Sequence, residues 1–429
     1  MRRIILLAGL MAMLPVMLFA GESVTLEECL AAARDNYPVI ARYGLNSRSL
    51  EISLSDINKS WLPGISVYGQ GTVQNSVPSF PAVLTDVLQQ MGQRMKGLDK
   101  MQYKIGVDVS QTIWDGGESK SAREVQRALS ATSEAALDVE IYGIRSRVED
   151  LYFGILLTEE QILRSRLTLK LLGSNLDKIN AMVADGVAMQ SDADQIEAKI
   201  LTLGQQITSA ESAAASYRSA LELFTAIPMT GKTLEKPSGE MPAELTSKRP
   251  ELRLFDLREQ LSDTRRGAVR ASLMPRVGLF AQAYYGYPGF DYFASMRNRD
   301  LSLNVMAGMK VSWSIGSLYT RRNRLSSLSV DDSETETDRE VFIFNSDLQI
   351  RSQLEIIEGQ RKVMADDARI IALRRNVRIA AESQLDNGII DANALVEKIT
   401  DEGLAALNAG YHEIELLKSI AGLKTILNR

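Results

Sequence analysis

The chain has 429 residues, 24% of them charged and 45% hydrophobic, with a formal net charge of −5. That length leaves room for more than one domain, and the mild acidity gives no basic footprint for nucleic acid. A lone cysteine, Cys29, excludes an intrachain disulfide. Any histidine-based metal site or catalytic triad would rest on His412 alone.

Met1, Arg2 and Arg3 precede an apolar run from Ile4 to Phe19, followed by Ala20, Gly21, Glu22 and Ser23. This is the pattern of a cleaved secretory signal over 1–20. The run falls short of the roughly 20 apolar residues of a spanning helix. No later segment is apolar enough to cross a bilayer as a helix, so membrane insertion has to use strands in a closed barrel. Leu26–Ala33 reads as a helix, with Cys29 as a small buried side chain.

Four stretches alternate with period two. Ile65, Val67, Gly69, Gly71 and Val73 interleave with Ser66, Tyr68, Gln70 and Thr72. Tyr103–Ile113 and Leu301–Ile315 alternate in the same way, and Arg276–Tyr287 is rich in aromatic and small residues. About ten residues with one polar face fit transmembrane β-strands. Four strands per chain fall short of the roughly eight in the smallest single-chain barrels. If these strands lie in a membrane the chain has to oligomerise, and the pattern alone does not choose between two copies and three.

No proline falls between Ala82 and Ile227 or after Pro288. Proline breaks helix interiors, so both gaps can hold very long helices. Glu118–Val183 reads as one ascending helix of roughly 100 Å. Asp185–Gly186 breaks it, and the chain descends along Ile196, Ile200, Leu203, Ile207, Ala210, Ala214, Tyr217, Leu221 and Phe224. That alternation of four and three is a coiled-coil seam. The plan repeats with Glu340–Leu385 ascending, Asp386-Asn387-Gly388 turning and Leu395–Leu427 descending. Gly186 and Gly388 lie 202 positions apart, as do Gly106 and Gly308, Ser110 and Ser312, and Ile113 and Ile315. We read an internal duplication, with repeat one at 21–248 and repeat two at 249–429. The fold class is α+β, with two long helical hairpins and four strands per chain.

Four segments resemble the TolC-like outer membrane efflux family. They are Thr25–Ala31 followed by Asn36-Tyr37-Pro38, Ile113-Trp114-Asp115-Gly116-Gly117, Arg249-Pro250-Glu251-Leu252, and the tip glycines Gly186 and Gly388. Repeat two has Gly316-Ser317-Leu318 where repeat one has Trp114-Asp115-Gly116, which predicts a looser junction there. The resemblance implies a homotrimer in the outer membrane, with a twelve-stranded barrel set in lipid and a tunnel of twelve helices across the periplasm. It also implies a periplasmic adaptor and an inner-membrane transporter as partners, contacts at the hairpin tips, and no cofactor. By spacing from the tips, Asp192 and Glu397 fall where the family narrows its pore with acids. Ala394 replaces a third acid, and Asp391 is its possible substitute. The resemblance leaves Leu385 and Ile390 to hold the closed tip by apolar contacts.

Val77–Lys100 and Tyr287–Asp300 are expected to be extracellular loops. Tyr284, Tyr285, Tyr287, Tyr292 and Phe293 are candidates for an interfacial aromatic belt. Asp331–Glu340 is expected to open a helix with a solvated acidic face. No glycine-rich phosphate loop and no acid–base constellation supports an enzyme. The alternative to a channel is a periplasmic coiled-coil scaffold or adaptor. Nothing in the sequence names the cargo.

Overall fold

The computed structural model describes residues 23–92 and 97–429, so the expected signal at 1–20 lies outside the described residues. In chain order the elements are β1 (Ser23–Val24), α1 (Leu26–Asn36), a 3-10 turn (Pro38–Ile40), α2 (Ala41–Lys59), β2 (Gly64–Val73), α3 (Ala82–Gln90), β3 (Met101–Trp114), α4 (Glu118–Tyr142), α5 (Ile144–Ala184) and α6 (Gln190–Thr225). Then follow β4 (Thr233–Leu234), α7 (Pro250–Ala271), β5 (Arg276–Tyr287), α8 (Tyr292–Asn298), β6 (Ser302–Ser312), α9 (Ser317–Asp386) and α10 (Ala392–Leu427). One compact unit takes the chain up to Ile40, Asp138–Arg249 and Phe342–Arg429. The other takes Ala41–Leu137 and Pro250–Val341. Among the described residues no helix is long and apolar enough to cross a membrane.

In the first unit, α1 opens on a reciprocal cap. The Thr25 hydroxyl accepts from Glu28 N–H at 3.2 Å and the Glu28 carboxylate accepts from Thr25 N–H at 2.9 Å. Asn36 donates to the carbonyls of Leu223 and Phe224 at 3.2 and 3.1 Å, closing the end of α6, while Tyr37 stacks on Phe224. The first resembling segment is thus a tie between α1 and α6. Tyr152, fully buried in α5, sets its hydroxyl between the carbonyls of Val24 and Glu235, at 2.9 and 2.6 Å. It thereby holds the parallel pair β1–β4. Cys29 is fully buried, and burial pushes its thiol up to about 12.

Most of the α6 seam packs as its spacing predicts, and Tyr217 stays exposed. Ile196, Ile207, Ala210, Ala214 and Leu221 are buried, as are Val148, Ile155, Leu172 and Ile179 of α5. Toward the tips these join Ala381, Leu385, Ala392, Leu395, Val396 and Ile399 in one core. Leu385 is buried in this core, with the half-buried Ile390 packed against it. Arg378 is largely buried and ion-pairs with Glu402 and Glu382, and Arg374 pairs with Asp401 at 2.7 Å, tying α9 to α10. A second core gathers Ile350, Ile357, Ile420, Leu423 and Leu427.

Two helix boundaries differ from the sequence reading. The stretch Glu118–Val183 is two helices, divided at Gly143. Gly143 keeps a right-handed backbone and still donates to Val139 O at 3.1 Å. A glycine lacks the side chain that favours helix, so the ladder lapses here. The stripe also changes phase before it, because Ala135 and Leu137 are buried rather than Ala136. The ascending helix of the second hairpin starts at Ser317, not Glu340, and runs unbroken for 70 residues. Asp331–Glu340 therefore lies inside α9 rather than opening it. Nor is it simply solvated, since Asp332 pairs with Arg266 of α7, and Asp338 lies 3.4 Å from Arg258. Arg339 answers Asp256 and Glu259 of α7 at 2.9 and 3.1 Å.

In the second unit β2, β3, β5 and β6 form one antiparallel sheet in that order. A register shift between Thr112 and Trp114 marks the end of the β3–β5 pairing. Among the described residues the outer edges of β2 and β6 have no strand partner. The expected loops carry short helices, α3 and α8. Leu98, Tyr287 and Met296 pack with Val77 and Phe80 between them, and Phe80 stacks on Phe293.

Glu149 of α5 lies buried beside a cavity of about 500 Å³ in the first unit, with Arg145 and Lys424 among its lining. Burial pushes its carboxyl up to about 7, against the hydrogen bond it accepts from Thr425. Between the ordinary value of 4.5 and 7, the unfolded chain ionises here while the folded chain keeps its proton. Stability therefore falls as pH rises through that window and stays lowered above it. Glu149→Gln is expected to melt higher than wild type at pH 8. Thermal unfolding near pH 4 is expected to show no difference.

Candidate functional site

Four surfaces are candidates for function: the two faces of the sheet, the junction where a strand enters a helix, and the hairpin tips. Cross-strand pairs share a face in an antiparallel sheet. The pairs Ile65–Val109, Ile105–Tyr285 and Tyr285–Leu303 set every odd-numbered strand position on one side. That side carries Ile65, Val67, Met101, Tyr103, Ile105, Leu279, Leu303, Val305, Met309 and Val311, all exposed. Gln111 is the one strongly polar side chain there. The even-numbered side carries Ser66, Gln70, Thr72, Gln102, Lys104, Asp108, Gln282, Asn304 and Lys310. One continuous sheet thus has one apolar and one polar face.

The aromatic candidates divide between these faces and the loops. Tyr285 is exposed on the apolar face, with Tyr103 beside it on β3. Tyr284 is buried on the polar face, and Tyr287 is buried in the loop core, where its hydroxyl accepts from Asp99 N–H at 2.7 Å. Tyr292 and Phe293 are exposed on α8. A belt of all five is therefore corrected to Tyr285 on the apolar face. The other four are taken up by the polar face and the loops.

At the junction, Trp114 ends β3 and Asp115 caps α4, accepting from Gly117 N–H at 2.9 Å and Ser119 N–H at 2.8 Å. Burial raises the Asp115 carboxyl, but the hydrogen bonds from Ser119 and Gly117 outweigh it and leave it below its usual value. Gly116 and Gly117 are left-handed, with φ of +69° and +89°. A Cβ on Gly116 would lie 2.3 Å from Met274 Cβ. The second junction lacks this carboxylate cap. There the Ser317 hydroxyl donates to Ser314 O at 2.5 Å, and the Trp313 indole donates to Leu273 O at 2.9 Å.

The two tips close in the same way. Gly186 N–H donates to Val183 O and Val187 N–H to Met182 O. Gly388 N–H donates to Leu385 O and Ile389 N–H to Gln384 O. This is the Schellman pattern, which needs a left-handed residue, and Gly186 and Gly388 have φ of +72° and +69°. Just past each glycine the tips expose Val187 (71%), Met189 (72%) and Ile389 (71%). The sequence reading missed these three. Their signal was an apolar residue directly after a turn glycine.

The predicted acids sit at the starts of the descending helices. Asp192 accepts from Met189 N–H at 3.1 Å and Asp391 accepts from Ala394 N–H at 2.8 Å. Glu397 is exposed beside Lys398, at 3.0 Å. Ala193 and Ala392 bury into the same core, so the first turns of α6 and α10 flank one cluster. His412 packs against Asp367 at 2.9 Å.

The chain thus combines a four-stranded sheet that has one apolar face with long paired helices. No family model matches the sequence, and no curated protein does. Solved structures do match. The outer membrane channel CmeC of Campylobacter jejuni is 13% identical over 94% of this chain and 85% of its own, with a TM-score of 0.65. The outer membrane protein VceC of Vibrio cholerae is 12% identical over 94% of both chains, at 0.64. The MtrE outer membrane channel of Neisseria gonorrhoeae, in its open state, is 15% identical over 94% of this chain and 88% of its own, at 0.64. The chain has the fold of the TolC-like outer membrane efflux channels.

Gly116→Ala is expected to destabilise the junction by roughly 1–3 kcal/mol, through a left-handed backbone and the clash with Met274. Gly117→Ala, with nothing within 4 Å of its Cβ, is expected to lose less. Comparing the two melting temperatures checks it.

Proposed function

We propose that three copies of this chain close a twelve-stranded barrel in the outer membrane and continue it as a helical duct across the periplasm. Cargo passes through this conduit passively, driven by an inner-membrane transporter that is joined through a periplasmic adaptor. The observation that carries the reading is the sheet. Its exposed face is apolar from edge to edge, and its two edge strands have no partner among the described residues. In hydrocarbon an open edge leaves backbone groups unsatisfied, so such a sheet calls for copies of itself to complete a ring. The channel fold and the internal repeat at 21–248 and 249–429 support the same reading.

The tips are the docking end for the adaptor. Rigid Schellman turns hold Val187, Met189 and Ile389 outward, as a helical partner's apolar face requires. Asp192, Asp391 and Glu397 are the aperture acids, repeated once per protomer, and such a ring favours cations.

The deciding measurement is the native mass of detergent-extracted protein from outer-membrane fractions. Three times the chain mass is expected. A soluble periplasmic monomer or dimer would overturn the barrel and leave the scaffold reading. Val187→Asp with Ile389→Asp is expected to keep that mass and abolish capture of the adaptor. Asp192→Asn with Glu397→Gln is expected to weaken cation preference in planar bilayers. Asparagine is chosen because it still caps a helix start, so unchanged selectivity would remove these residues from the aperture.

A further inference from the structure

All four charged residues of the strands, Lys104, Asp108, Arg276 and Lys310, fall on even positions and so on the polar face. Arg276 is answered within the chain by Glu118. Strand pairing sets Lys104 level with Gln70 and Gly286, near the loop end of the sheet. It sets Asp108 level with Ser66 and Gln282, and Lys310 level with Gly278 beside Thr112, near the helix end. Asp108 therefore stands midway between the two lysines, about 13 Å along the strands from each. That exceeds the screening length of about 10 Å at 0.1 M salt, so the three act as separate charges and not as pairs.

Lys104 is held in place. Its Nζ lies 5.7 Å from the ring centroid of Tyr68 and 5.3 Å from that of Tyr284. Both rings are fixed by their hydroxyls, Tyr68 accepting from Gln282 at 2.9 Å and Tyr284 donating to Pro288 O at 3.1 Å. Gly106 leaves the space in which these rings converge, since a Cβ there would come within 2.9 Å of Tyr68 and 2.8 Å of Tyr284. Asp108 is the single acid against these lysines, with one carboxylate oxygen buried and without a hydrogen-bond partner.

We infer that the strand-built segment of the pore is selective for anions, with Lys104 its specificity-determining residue and Lys310 the second. Each protomer contributes two unpaired cations against one acid, and rings of lysine favour anions. The segment takes small anions bearing carboxylate or phosphate groups. Its preference opposes that of the acids at the tips. This rests on the channel reading, in which the polar face lines the lumen.

The test is the reversal potential of the full-length protein in planar bilayers under a KCl gradient. Lys104→Gln and Lys310→Gln are each expected to shift permeability toward K⁺, by about twofold or more together. Asp108→Asn is expected to shift it toward Cl⁻, and Lys104→Arg to stay near wild type. Lys310 is exposed and stacks on no ring, so its variant reports charge even where loss of Lys104 disturbs the fold. Tripolyphosphate added from the loop side supplies a second readout. Its block of wild-type current is expected to need about tenfold more anion in the double variant. Conducting variants with unmoved reversal potential and unchanged block overturn this inference alone. A wild-type chain that opens no conductance overturns the channel reading, and the inference with it.

Discussion

In the proposed barrel the backbone lies in hydrocarbon with no water to pair with, and that one constraint organises the sheet. The inner edges of β2, β3, β5 and β6 pair through registers that run nearly the full length of each strand, broken by one shift between Thr112 and Trp114. Only the outer edges of β2 and β6 remain. A soluble sheet could leave them to water. A sheet whose outward side is apolar in all four strands has a different requirement, because burying that side in lipid would strand both edges. Closure by further copies satisfies the edges and the face together.

The helices answer a second requirement, that of length without a globular core. α5, α6, α9 and α10 share one buried cluster near the tips, and α9 and α10 share a second farther back, with polar ties between these two. Along much of α9 the apolar residues stay exposed, including Phe344, Leu348, Val363 and Leu373. A helix of 70 residues that buries only five of them is incomplete as a monomer element. In the proposed trimer its missing neighbours come from the other protomers, as in the sheet.

Much of this was legible because it rests on short-range rules. Period two fixed the strands, since one slip would turn an apolar face to the wrong side. The four-three seam of α6 survived because most of its residues pack against α5 or the shared core near the tips. Gly186, Gly388, Gly116 and Gly117 were readable because only glycine tolerates the required φ. The failures share a different cause. The early start of α9 and the interior place of Asp331–Glu340 depend on Arg258, Arg266 and Arg339, whose pairing across α7 and α9 no local pattern encodes. The pairing of β1 with β4 spans more than two hundred positions and is secured by Tyr152 from a third element. The aromatic cluster misled for the same reason, because adjacent strand positions face opposite ways and neighbours in sequence were divided among three surroundings.

The acids proposed for the aperture join both levels. Asp192 and Asp391 each satisfy a backbone N–H at a helix start, where the helix dipole already favours a negative charge. A carboxylate so anchored is not free to swing. Its position follows the helix that it caps, and that helix follows the shared core of Ala193, Ile196, Ala392 and Leu395. Charge at the tip therefore moves only when the helices move, and the glycine turns between them set the limits of that motion. Glu397 differs, lying one turn in, exposed, with Lys398 at 3.0 Å. Exposed pairs of that kind contribute little to stability. The Glu397 side chain can accordingly reorient without cost to the fold, and in the proposed aperture it is the acid whose charge is free to follow a passing ion.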